Sequence, residues 1–112
     1  MQNLLEERIS DKFRNYLSVF LFFNELSDLD FEQKKFIPYV HDTMTKEYRK
    51  MTRLASEINN PDLTEKLNKL AIPIIILKNY IEGYKTKEEV IDSKKNLDLE
   101  NCINSIIELL EK

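Results

Sequence analysis

The sequence predicts an all-α protein, and three observations predict it. Apolar residues recur at spacings of three and four along most of the chain, which is the period of one helix face. Gly occurs once and Pro three times in 112 residues, too few for an all-β fold, which needs turn residues every ~8–12 positions. Hydrophobic residues make up 42% and charged residues 33% of the chain, so there is a core to bury and no signature of disorder. The expected architecture is a single helical domain over residues 1–112. It is an antiparallel, up-down four-helix bundle with a short extra helix before the last and Pro kinks in the second and third helices.

The first helix runs from Leu4 to about Leu26. Leu5, Ile9, Phe13, Tyr16, Phe20 and Phe23 form its main stripe, and Val19, Phe22 and Leu26 form a second one beside it. The C-terminal half is therefore apolar nearly all round, as in a helix buried on several sides. Ser27-Asp28-Leu29-Asp30 reads as a turn, with Asp28 or Asp30 capping the next helix through a short side-chain oxygen. From there to Asn59 the inward positions are Ile37, Val40, Met44, Tyr48, Met51, Ala55 and Ile58. Pro38 interrupts this pattern, and a continuous helix kinked at Pro38 is expected in preference to a separate short helix over Phe31–Ile37.

Asn59-Asn60-Pro61-Asp62 is the clearest boundary. Asn60 suits the N-cap, Pro61 the first helical position and Asp62 the positive end of the helix dipole. The third helix then carries Leu63, Leu67, Leu70, Ile74, Leu77, Ile81 and Tyr84, with a kink at Pro73 and an end at Gly83. Thr86-Lys87-Glu88-Glu89 matches a capping box, opening a short helix to about Lys95. The last helix, Leu97 to Glu111, buries Leu99, Ile103, Ile106 and Leu110, with Asn96 or Asp98 as its cap.

Several kinds of chemistry lack their ingredients. His41 is the only imidazole and Cys102 the only thiol, so one chain cannot assemble a zinc site of His and Cys ligands. A di-iron bundle needs Glu-x-x-His pairs, and Pro38 stands where the Glu before His41 would be. Asp28-Leu29-Asp30 begins a calcium loop but no Gly comes after it to complete the loop. Nothing in the sequence marks His41 and Cys102 as a catalytic pair, and none of the 20 acids interrupts an apolar stripe, where burial would raise its pKa. The expectation is a protein that is not an enzyme and takes no cofactor or metal.

The net charge is −3, which selects neither nucleic acid nor anionic membrane for the chain as a whole. The apolar run Leu17–Phe23 is far shorter than the ~20 residues of a membrane span and comes after acids, not a basic leader. A cytoplasmic location and no membrane partner are expected. Frequent Lys, Asn and Ile point to an AT-rich coding genome, so a small bacterial or phage protein is expected.

Two features stand out as candidate partner-binding surfaces. Lys46, Arg49, Lys50 and Arg53 fall at i, i+3, i+4 and i+7 and share one face of the second helix, with Lys34 and Lys35 farther back. The stripe Val19, Phe22 and Leu26, with Ile72, Ile75 and Ile76 on the third helix, exceeds what a single packed seam per helix requires. Together they suggest a non-enzymatic protein–protein interaction module of the inhibitor, immunity, chaperone or adaptor type, with a homodimer as a further partner state. The alternative is a nucleic-acid-binding regulator that grips phosphates with the basic strip.

Overall fold

The computed structural model describes the backbone of residues 2–33 and 35–111, and the side chains of 11–33 and 35–111. The described residues are helical and connecting, with no strand among them. Within them seven helical segments succeed one another: α1 (Gln2–Asn24), α2 (Asp28–Phe31), α3 (Phe36–Ile58), α4 (Pro61–Lys69), α5 (Ala71–Ile81), α6 (Lys87–Leu97) and α7 (Leu99–Glu111).

The caps explain most boundaries. Asn60 takes an extended backbone, and its Oδ1 accepts from the N–H groups of Asp62 at 3.0 Å and Leu63 at 3.2 Å, satisfying two donors that the helix cannot. The Thr86 hydroxyl accepts from Glu89 N–H at 3.2 Å, while the Glu89 carboxylate accepts from Thr86 N–H at 3.1 Å, a reciprocal capping box. Asp98 alone separates α6 from α7, in a left-handed conformation at φ 48°, and its carboxylate accepts from the Asn101 amide at 2.7 Å.

Two expectations are corrected. The second helix is not one helix from the Asp28–Asp30 turn to Asn59: the chain breaks between Phe31 and Phe36, before Pro38. The chain first makes the four-residue α2, in which the Asp30 carboxylate accepts from Ser27 N–H at 2.8 Å and from the Ser27 hydroxyl at 3.1 Å. Ser27, not an aspartate, therefore occupies the cap position. After α2 the chain restarts at Phe36, so Pro38 is the third residue of α3. Its missing N–H is one of those that a first turn leaves unbonded in any case, so the helix accommodates it there. The third helix, expected to bend at Pro73, breaks into α4 and α5 instead. Leu70 turns the corner at φ −72°, ψ −14°, with its N–H bonded to Leu67 O at 2.9 Å in a tightened last turn. Pro73 offers Lys69 O no donor, and its buried ring holds the break open.

α1 lies between α3 and α7. Phe22 meets Phe36 edge-to-face at 5.7 Å, while Tyr16 sits under Lys50 farther along α3, so α1 and α3 run in opposite directions. Arg14 pairs with Glu111, while Asn24 lies beside Leu99 and Glu100, so α1 and α7 are also antiparallel. α3 packs on α4 and α5 as well, α4 on α7, and α5 on α6. The buried side chains make one core, centred on Phe13, Leu17, Phe20 and Phe23 of α1, Met44 and Met51 of α3, Leu63, Leu67 and Leu70 around α4, and Ile103 and Ile106 of α7. The molecule measures 48 × 24 × 19 Å.

A long-range tie closes the end of α1. Lys94 on α6 donates to the carbonyls of Leu26 and, at 3.4 Å, Asn24. These oxygens lie beyond the helix's own donors, and a cation suits the negative pole of a helix. Burial holds the Lys94 amine below the ordinary lysine range, against the pull of Asp30 and Asp28.

Candidate interaction face on α3

The face of α3 turned away from the core is set by the same periodicity that sets the core. Ile37, Val40, Met44, Met51 and Ala55 point inward and are buried. Tyr39, Asp42, Lys46, Arg49 and Arg53, at spacings of 3, 4, 3 and 4, point outward. Along this face runs an open trough of about 610 Å³, lined by His41, Asp42, Thr45, Lys46, Arg49, Lys50 and Arg53. Every lining residue belongs to α3. A trough with one wall cannot enclose a small molecule, since ligand sites bury most of the ligand's surface. It can receive an extended or helical segment laid along it.

The four basic residues do not behave alike. Lys50 leans back toward α1, with its ammonium 5.4 Å above the Tyr16 ring and 3.2 Å from the Glu47 carboxylate. Lys46, Arg49 and Arg53 are in no ion pair among the described residues. They stand as neighbouring cations whose repulsion costs stability. Lys35 is the residue before α3 rather than part of it, and Lys34 lies outside the described residues.

The expected apolar stripe on α1 divides. Leu26 is 3% exposed and belongs to the core, where the turn at Ser27 folds it inward. It is therefore not available to a partner in this fold. Val19 is half-buried against the core. Phe22 alone reaches the surface, 44% exposed, with its ring against Phe36. On α5, Ile76 is buried while Ile72 and Ile75 are exposed.

Tyr39 joins this face without having been among the expected site residues. It is 66% exposed, three residues beyond Phe36 and seven before Lys46. Extending the basic strip backward by the helical period reaches it, so the signal lies in the spacing. Exposed Tyr and Arg side chains are the types that anchor protein interfaces most often, because they bring large contact area and hydrogen-bonding ends.

His41 and Cys102 each have partners of their own. His41 Nδ1 lies 3.2 Å from the Asp42 carboxylate on α3. The Cys102 thiol, half-buried on α7, donates to Lys66 O at 3.6 Å. Burial pushes that thiol up, against the pull of Lys69 and Lys66, which leaves it mostly protonated and a poor nucleophile near neutrality. Among the described residues no cluster of His, Cys, Asp or Glu has the grouping to hold a metal ion, and no helix is long and apolar enough to cross a membrane. The chain matches no family model, no curated protein and no solved structure.

Proposed function

We propose that this chain is a non-enzymatic interaction module that presents the outer face of α3 to an acidic surface of another protein. One observation carries the reading: Lys46, Arg49 and Arg53 line up beside the exposed Tyr39 without intramolecular counter-ions among the described residues, on a chain whose net charge is −3. A stripe of cations that forms no close ion pair among the described residues can take its complement from outside the molecule. The framework behind it supports the reading of an up-down four-helix bundle. The α1–α3, α3–α4, α4–α7 and α7–α1 pairings close a ring, with α5 continuing α4 and α6 as the extra helix. Such a scaffold holds α3 rigidly, which lowers the entropy cost of binding.

Asp42 favours a protein partner over nucleic acid. It sits inside the stripe, exposed, where it would oppose a phosphate but can accept from a partner's donor. Three cations also span only about 10 Å of helix axis, enough for a few phosphates and weak, strongly salt-dependent binding.

The test is site-specific photo-crosslinking in the native host, with benzoylphenylalanine at position 39 or 49 and a control at exposed position 88 on α6. The proposal expects one protein captured from both α3 positions, not from the control, and lost when Lys46, Arg49 and Arg53 are changed to Glu. Capture of the same protein from position 88, or capture unaffected by charge reversal, refutes the α3 face. Tight RNA or DNA binding at physiological salt that vanishes in the reversed variant would replace the protein partner with a nucleic acid.

A further inference from the structure

The cationic stripe of α3 has ends as well as a middle, and the ends carry the opposite sign. Asp42 stands four residues before Lys46, and Glu57 four residues after Arg53. All five side chains are exposed. Asp42 lies 3.2 Å from the His41 ring yet stays 82% exposed, and Glu57 is in no ion pair among the described residues. At 3.6 residues per turn the five fall within about 80° of the helix circumference. Read along the axis, this face is acid, base, base, base, acid.

We infer that the segment received by α3 is a helix of another protein with the inverse charge order: three acids spaced three and four residues apart, and a base four residues outside each end. The inference rests on the α3 reading above and names the partner's chemistry. Axial spacing favours a helix over a strand. From Asp42, the charges at Lys46, Arg49, Arg53 and Glu57 lie at about 6, 10, 16 and 22 Å along the axis. A helix laid alongside repeats those steps. An extended segment presents same-side residues every ~6.7 Å, so its third charge falls between Arg49 and Arg53. Charge order argues against a second copy as occupant. The stripe reads nearly the same from either end, so two α3 helices in register, parallel or antiparallel, set cations against cations. No single helix of this chain carries three acids at spacings of three and four. Asp42 and Glu57 then act by repulsion, turning away a helix that is acidic along its whole length.

The test measures fluorescence anisotropy of labelled, side-chain-stapled helical peptides of Ala and Gln against the full chain in low salt. The first peptide carries Lys-x-x-x-Glu-x-x-Glu-x-x-x-Glu-x-x-x-Lys. The second has both Lys changed to Glu. The third is unstapled, with its three Glu at every second position. Net charge alone would make the second bind most tightly. The inference expects the first to bind at least about threefold more tightly than either of the others, from exposed pairs made and broken. Asp42→Lys together with Glu57→Lys should invert the preference between the first and second peptides, with helical circular dichroism unchanged. A native chain that prefers the second or third peptide, or a preference that the double variant leaves alone, overturns the inference while the acidic-partner reading stands. Binding of the first peptide that survives Lys46→Glu, Arg49→Glu and Arg53→Glu together overturns both. No binding of the first peptide at millimolar concentration overturns the inference, and the crosslinking experiment then judges the α3 face by itself.

Discussion

Arg49→Glu should make this protein more stable, although the residue lies on the face proposed to bind. Arg49 has Lys46 three residues before it and Arg53 four residues after it, so it takes part in two like-charge neighbour pairs on an exposed helix face. Each such pair costs about 0.2–0.5 kcal/mol, and an opposite pair gains a similar amount. Changing the sign at position 49 turns both pairs around, and the new glutamate precedes Arg53 at the favourable i, i+4 spacing. The net gain is about 1 kcal/mol after allowance for screening, or about 4 °C in Tm for a chain of this length. Lys46→Glu should gain about half as much, because the same change turns an existing attraction to Asp42 into a repulsion. Thermal melts by circular dichroism in low salt give the comparison, and repetition in concentrated salt should erase most of the gain. An Arg49→Glu melt that is unchanged or lower in low salt, or a gain indifferent to salt, would refute the claim that these cations oppose one another.

The core, a cap and two titrating groups supply the other expected outcomes. Phe20→Ala removes a fully buried ring from α1 and should cost about 3–5 kcal/mol in urea denaturation. Asn60→Ala leaves two N–H groups at the start of α4 without their acceptor and should cost about 1 kcal/mol by the same measurement. Lys94 should titrate below the other lysines in carbon-detected NMR. Between its folded pKa and the ordinary lysine value, the unfolded chain binds more protons at this site than the folded one. Stability should therefore rise with pH across that window, and Lys94→Met should remove this contribution to the rise. Cys102 should react with a thiol reagent more slowly than free cysteine at about pH 8, because burial keeps it protonated and partly covered.

Local physics wrote much of this structure into the order of residues. The inward stripes of α3 and α7, the Asn60-Pro61 start of α4 and the Thr86/Glu89 box all depend on neighbours within about four positions, so spacing and side-chain type suffice to find them. The shared face of Lys46, Arg49 and Arg53 is legible for the same reason.

Distant contacts decided the rest. A proline pattern cannot tell a kink from a restart: Pro38 is harmless because the chain turned through α2 first, and Pro73 marks a break because α4 packs on α7 while α5 packs on α6. Spacing alone shows neither Lys50 folding back over Tyr16 nor Lys94 closing the end of α1 from 68 residues away. Leu26 and Leu29 are equally greasy in sequence, yet one is buried and the other faces water. Periodicity tells a side chain which way its own helix would like it to point. Only the assembled neighbours determine whether anything is there to meet it.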